Sequence, residues 1–323
     1  MKRIGLGICL AILLLAGTIV YVQVIGGTQV AGDKTSAEQQ EKRVSAQASG
    51  KMDPYAPTDG KVVKKHRIQV DSPYKNQTEL YRIEYISEGV RVVGYLCKPK
   101  KINHKLPVII FNRGGVVDSS QISEQSLRYF TKLSAHQYVV VASQYRGYGG
   151  SEGERDIGGK DVQDVLNLIP LAERLPYVDP EKKVMLGFSR GGMMTYIALK
   201  KGADVKAAAI VGGVSDLRRL YQDQEEFQQP LSHWVGDPLM DEKKFDNRSA
   251  VKWPEQIHVP VLMIHGLNDR TVLPEHSIRL AEKFEKLGHE HKLVLIPGGS
   301  HYLNNREQQR DQAIFEWFDH YLN

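Results

Sequence analysis

The sequence predicts an α/β chain, a mostly parallel sheet with helices on both faces and a small cap insertion. Two observations carry this expectation. Apolar runs recur at 107–111, 138–142, 183–186, 259–264 and 292–296, each continuous instead of alternating, as strands covered on both faces are. Amphipathic stretches at helical spacing lie between them, at 121–135 and 161–173. With 323 residues, 41% apolar and 25% charged, the chain is long enough for one large domain of this class.

In chain order, Met1-Lys2-Arg3 precedes an apolar run from Ile4 to Ile25, long enough at helical rise to cross a bilayer. The leading positive charges favour a cytoplasmic amino terminus. Residues 1–25 are therefore expected to be a membrane anchor, with the remainder extracytoplasmic. The alternative is a cleaved signal peptide, cut near Gly26-Gly27 or Ala31-Gly32, which leaves a secreted domain. Residues 26–65 are rich in Gly, Gln, Ser, Ala, Lys and Glu and read as a flexible tether. The domain proper is expected over 66–323.

Its first strands are expected at 66–70, 78–86 and 90–97, the last two alternating in polarity and joined by Ser87-Glu88-Gly89 as a hairpin. The sequence holds two cysteines, too few for a disulfide framework, and Cys97 reads as a buried strand residue. After the apolar run 107–111 come a helix at 121–135, a strand at 138–142, a helix at 161–173, and a connection at 176–180. The run 183–186 then leads through Gly187-Phe188-Ser189-Arg190-Gly191-Gly192 into a helix at 193–201. A small-residue strand follows at 205–211. Between 215 and 254 the regular alternation stops, and a terminal helix is expected at 305–322.

Chemistry concentrates in three loops. Ser189 sits at the apex of a Gly-x-Ser-x-Gly pattern between a strand and a helix, where neighbours without a Cβ let the helix pack close beneath the serine. The first amide of that helix, Arg190 N–H, is aimed where negative charge would develop. A serine hydroxyl needs a base, and the base needs a group to hold its tautomer. Asp269 follows the strand 259–266 in His265-Gly266-Leu267-Asn268-Asp269, and His301 follows the strand 292–296 in Pro297-Gly298-Gly299-Ser300-His301. Ser, then Asp, then His is the chain order of one known triad arrangement.

These motifs together resemble the α/β-hydrolase superfamily, in its prolyl-oligopeptidase-like and dienelactone-hydrolase-like branch, over roughly residues 80–323. The resemblance implies an α/β-hydrolase fold with Ser189 as nucleophile, Asp269 as orienting acid and His301 as general base. It also implies a second oxyanion donor in Asn112-Arg113-Gly114-Gly115, where relatives often carry His-Gly-Gly. Arg113 stands at the histidine position; its side chain either recognises a substrate carboxylate or forms a structural salt bridge. Gln144 to Gly153 resembles a loop many hydrolases write Asp-x-Arg-Gly-x-Gly-x-Ser, with Gln144 replacing the Asp. The irregular 215–254 lies where hydrolases insert a cap. Its aromatics line an acyl site or form the cap's own core.

Other classes find less support. The net charge of +5 is scattered in short pairs, so no nucleic-acid partner is expected. The glycines at 147 and 149 lack the spacing of a dinucleotide site. His289-Glu290-His291 has no third ligand at a telling spacing, so no metal is expected, and no cofactor. His265 precedes the acid in the chain and is read as structural, and Asp216 as a less favoured acid. The expected function is hydrolysis of an ester or other small acyl bond, because the roughly eighty residues before the fold are too few for the propeller of prolyl oligopeptidases. A serine peptidase on short peptides is the alternative, and a catalytically silent tethered binding protein is a third reading.

Overall fold

The computed structural model describes residues 58–117 and 120–323. The membrane-anchor and signal readings fall at 1–25, outside the described residues, as does most of the tether. Among the described residues no helix is long and apolar enough to cross a membrane.

Among the described residues nine strands form one sheet in the order β1-β2-β3-β5-β4-β6-β7-β8-β9. Strands β1 (Val62–Ile68), β2 (Thr78–Ser87) and β3 (Val90–Pro99) run antiparallel at one edge, and β3 is also antiparallel to β5 (Val139–Ser143). From β5 through β4 (Leu106–Asn112), β6 (Val178–Phe188), β7 (Ala207–Val211), β8 (Val261–Gly266) and β9 (His291–Ile296) every pairing is parallel. The antiparallel edge closes by a two-residue turn in which Glu88 and Gly89 both have positive φ, 49° and 81°. Such turns match the twist of the flanking strands.

The continuous apolar runs become strands buried on both faces. Along β4, Val108 and Ile110 point into one core and Ile109 and Phe111 into the other. The first core lies under α2 (Val162–Leu166), α3 (Leu168–Glu173), α4 (Arg190–Lys200) and α8 (Glu275–Leu287), with Val165, Met194 and Phe284 at its centre. The second lies under α1 (Glu124–Ala135) and α9 (Glu307–Leu322), filled by Phe130, Ile314 and Phe318. Each fully buried side chain of this size contributes roughly 1.5–3 kcal/mol. Cys97 is buried in β3, and burial pushes its thiol up to about 11.

Several elements differ from the sequence expectation. β1 begins at Val62, inside the stretch read as tether, because an edge strand is held by backbone pairing to β2 and needs no apolar run; Lys64 and Lys65 are exposed. β6 starts at Val178, within the expected connection, and runs past Pro180 across a register shift between its pairs with Leu106 and Val108. The single helix expected at 161–173 is two helices separated at Asn167. Pro170 cannot donate to the carbonyl of Leu166, and its ring crowds that carbonyl. Segment 215–254 carries α5 (Leu217–Asp223), α6 (Glu225–Trp234) and α7 (Glu242–Asp246), with Phe245 and Trp253 buried in the first core.

The topology fixes where a site can form. From β4 the chain crosses through α1 to β5 on one side and then, through α2 and α3, to β6 on the other, so the order reverses at β4. In open sheets of this kind ligands bind at the carboxyl ends beside that switch point. Register aligns the ends: Asn112 pairs Gly187, Phe188 pairs Val211, Val211 pairs Ile264, and Gly266 pairs Ile296. The loops starting at 113, 189, 212, 267 and 297 therefore share one rim.

Candidate active site

Ser189 joins β6 to α4 with φ 54° and ψ −120°, a conformation a non-glycine residue rarely adopts. Such strain, of order 1–3 kcal/mol, persists only when the surroundings over-determine it. They do so here by close packing. A Cβ on Gly191 would lie 1.9 Å from the Asn112 carbonyl oxygen, and one on Gly187 would lie 2.4 Å from the Gly191 carbonyl oxygen. Ser189 N–H donates to Val211 O at 3.0 Å, fixing the turn to the neighbouring strand. As the first amide of α4, Arg190 N–H has no acceptor within the helix.

Asp269 and His301 are joined directly, His301 Nδ1 to Asp269 Oδ2 at 2.7 Å. The other carboxylate oxygen accepts the amides of Thr271 at 2.9 Å and Val272 at 3.0 Å. Burial opposes ionisation of Asp269, but hydrogen bonds from His265 and His301 and the Val272 amide outweigh it and hold the carboxyl well below the usual range. With Nδ1 donating to Asp269, Nε2 of the neutral His301 ring carries the lone pair; that atom is buried and makes no hydrogen bond among the described residues. His301 and Ser189 are thus not hydrogen-bonded to each other.

The hydroxyl of the next residue, Tyr302, is placed beside Ser189 instead. The Tyr302 ring packs 4.5 Å from that of His301 and 6.1 Å from that of Phe188. Gly114 completes the group: a Cβ there would lie 2.6 Å from the Tyr302 hydroxyl and 3.1 Å from Ser189 Cβ. Sequence reasoning did not single out Tyr302, although its position after His301 was the available signal.

His265, fully buried at the end of β8, also reaches the acid, with Nε2 2.8 Å from Val272 O and 3.1 Å from Asp269 Oδ2 and Nδ1 2.7 Å from Ser277 Oγ. Asp216 caps α5 by accepting Arg219 N–H. Arg113 corrects the expectation of a salt bridge: among the described residues its hydrogen bonds go to the carbonyl oxygens of Gly114, Ser120 and Gln144. A guanidinium after β4 is better placed to bond the loop's own backbone than to reach a carboxylate. The Arg190 side chain is also buried, pairing with Asp161.

A cavity of about 610 Å³ opens beside Gly114 and Tyr302, with Phe111, Tyr129 and Phe188 in its wall. A larger one, about 930 Å³, lies at the amino ends of β7, β8 and β9 around His258 and Glu290, away from these groups. The smaller cavity is lined by Gly114, Phe188 and Tyr302, neighbours of Ser189, and not by Ser189, Asp269 or His301 themselves. Among the described residues no cluster of three His, Cys, Asp or Glu side chains is placed to hold a metal ion.

Against known proteins, the profile of the prolyl oligopeptidase family matches residues 124–323, more than half of the chain. This chain belongs to the prolyl oligopeptidase family. It is 29% identical over 251 residues to the uncharacterized peptidase YtmA of Bacillus subtilis, covering 77% of this chain and 95% of that protein. Among solved structures it resembles the Pyrococcus horikoshii acylaminoacyl peptidase, with a TM-score of 0.66, 23% identity, and coverage of 76% of this chain but 42% of that one. It also resembles the acetyl xylan esterase of Paenibacillus sp. R4, with a TM-score of 0.64, 16% identity, and coverage of 91% and 97%. At these identities both likenesses are of fold. The mixed, mostly parallel sheet flanked by helices is that of an α/β hydrolase in this family.

Proposed function

We propose that this family member is a serine hydrolase that cleaves an ester or other small acyl bond through Ser189, His301 and Asp269. The observation that carries the reading is a strained serine on the same strand-end rim as a histidine bonded to a buried, ionised aspartate. Ser189 turns its hydroxyl to His301 Nε2 and attacks the substrate carbonyl. His301 takes the hydroxyl proton while Asp269 steadies the imidazolium. The oxyanion is received by the Arg190 amide and by amides of the Arg113-Gly114 loop. His301 then protonates the leaving group, and water activated by the same nitrogen releases the acid from the acyl-enzyme. The scheme needs no cofactor.

The cavity beside Tyr302 supports a small-molecule substrate, since about 300–1,000 Å³ is the usual size of such sites. A second reading, hydrolysis of short peptides, is favoured by family membership and by the peptidase name of the Bacillus relative. The test is turnover of short acyl esters and of aminoacyl arylamides by the wild type and by Ser189→Ala. Ester turnover that disappears in the variant supports the first reading, faster arylamide turnover favours the second, and none with either substrate contradicts both.

A further inference from the structure

Four successive carbonyl groups of the loop after β4 end in one buried cluster. Arg113 O accepts from Tyr145 Oη at 3.1 Å, Gly114 O from Arg113 Nη1 at 3.0 Å, Gly115 O from Arg190 Nη1 at 2.9 Å, and Val116 O from Tyr148 Oη at 3.2 Å. The donors are stacked on one another: the Arg113 guanidinium lies 4.6 Å and 4.7 Å from the ring centroids of Tyr145 and Tyr148, and that of Arg190 lies 5.0 Å and 5.4 Å from them. Arg113 is tied at its far end to Gln144 O, by Nη2 at 2.7 Å and Nε at 3.1 Å.

In a trans peptide the carbonyl and the following N–H point in opposite directions. A carbonyl drawn into the cluster therefore turns the next amide out of it. This governs the amides of Gly114, Gly115 and Val116, and Gly114 is the residue that borders Ser189. We propose that Arg113 is a positioning residue, whose guanidinium, with Tyr145, Arg190 and Tyr148, clamps the loop carbonyls so that its amides are held ready for the oxyanion. It does not bind substrate. The inference rests on the serine-hydrolase reading and deepens it.

The arrangement is costly in ways that packing alone does not require. Arg113 is buried with no carboxylate hydrogen-bonded to it among the described residues, and burial with the neighbouring Arg190 charge pushes its guanidinium down to about 10. Tyr145 holds a positive φ of 66°, rare for an aromatic residue, and its hydroxyl is the one bonded to Arg113 O. Strain gathered where a loop is aimed at a reacting atom is the usual mark of preorganisation.

The experiment compares wild type, Arg113→Met, Arg113→Ala and Tyr145→Phe on neutral and acidic esters of the same length. Removing one oxyanion donor costs about 10²–10³ in kcat, so loosening the loop in Arg113→Met is expected to lower kcat by roughly 10–100-fold while KM moves far less. The loss is equal on neutral and acidic esters, and ethylguanidinium, which can enter by the cavity that Arg113 lines, partly restores kcat in Arg113→Ala. Tyr145→Phe, which keeps the ring stack and loses one bond, shows the same kcat-selective loss at smaller size and stands in if the arginine variants do not fold. A selective loss on acidic esters, a rise in KM alone, or an unchanged kcat in folded variants overturns the proposal. If the wild type does not react with a fluorophosphonate at Ser189, the hydrolase reading itself fails and this one falls with it; a reactive wild type with unaffected variants sinks only the clamp.

Discussion

His265 and His301 meet at one atom. Oδ2 of Asp269 lies 2.7 Å from His301 Nδ1 and 3.1 Å from His265 Nε2, so one buried carboxylate oxygen is held from two sides by imidazoles, one at the end of β8 and one in the loop after β9. His265 is fixed in turn by Val272 O and Ser277 Oγ, which makes it a strut for the acid.

The strut and the acid are separable by mutation. Asp269→Asn leaves a similar shape but offers His301 the wrong hydrogen-bonding partner, and kcat is expected to fall by about 10⁴ with little change in KM. His265→Gln leaves the carboxylate in place and loosens it, so a loss of roughly tenfold is expected, as for groups that support a reacting residue at one remove. Steady-state kinetics of both folded variants check the order; an equal loss in the two would assign His265 a direct part in the chemistry.

Tyr302→Phe removes the hydroxyl beside Ser189, which can hydrogen-bond the serine in place of His301. A net hydrogen bond of about 0.5–1.5 kcal/mol corresponds to roughly a 2–10-fold faster reaction of Ser189 with a fluorophosphonate. Second-order labelling rates measure it. A fall of a hundredfold instead would mark the phenol as an oxyanion donor.

Gly191→Ala tests the elbow. With a Cβ 1.9 Å from the Asn112 carbonyl oxygen, β4 and α4 must separate, and overpacking of this kind costs about 1–3 kcal/mol or more. A lower thermal midpoint and a fall in kcat are expected together. An active variant with the wild-type midpoint would show that the close approach is not needed.

Acid lability follows from His276. Its Nδ1 accepts the amides of Ser215 and Asp216, and Nε2 is buried with no hydrogen-bond partner among the described residues. Burial, aided by His265, Arg219 and Arg279 and opposed by Asp269, pushes its pKa from 6.5 down to about 3. The unfolded chain then binds a proton that the folded chain refuses, so stability rises with pH through this window and is lost as pH falls from 6.5 towards 3. The depressed Asp269 adds loss only below the ordinary carboxylate value. One such group gives a slope of on the order of 1.4 kcal/mol per pH unit, which His276→Asn, keeping an acceptor but not the titration, is expected to flatten. Denaturant unfolding across pH measures the slope; identical slopes in the two proteins would contradict the assignment.

What was legible in the sequence divides by range. Continuous apolar runs gave the parallel strands, because burial on both faces leaves no polar alternation, and the loops after them held Ser189, Asp269 and His301. The start of β1 was hidden because its exposed Lys64 and Lys65 read as tether, and the start of β6 because Pro180 reads as a connection. Contacts between loops distant in sequence were not legible at all: Tyr302 at Ser189 and the tyrosines of 145–148 on the carbonyls of 113–116 depend on register across the rim.

The most direct measurement is the intact mass of the protein after treatment with a fluorophosphonate, followed by peptide mapping. One adduct on Ser189, absent from Ser189→Ala and strongly slowed in His301→Ala, is expected. A wild type that takes up no label, or takes it up at another residue with Ser189 unmodified, would contradict a nucleophilic Ser189 served by His301.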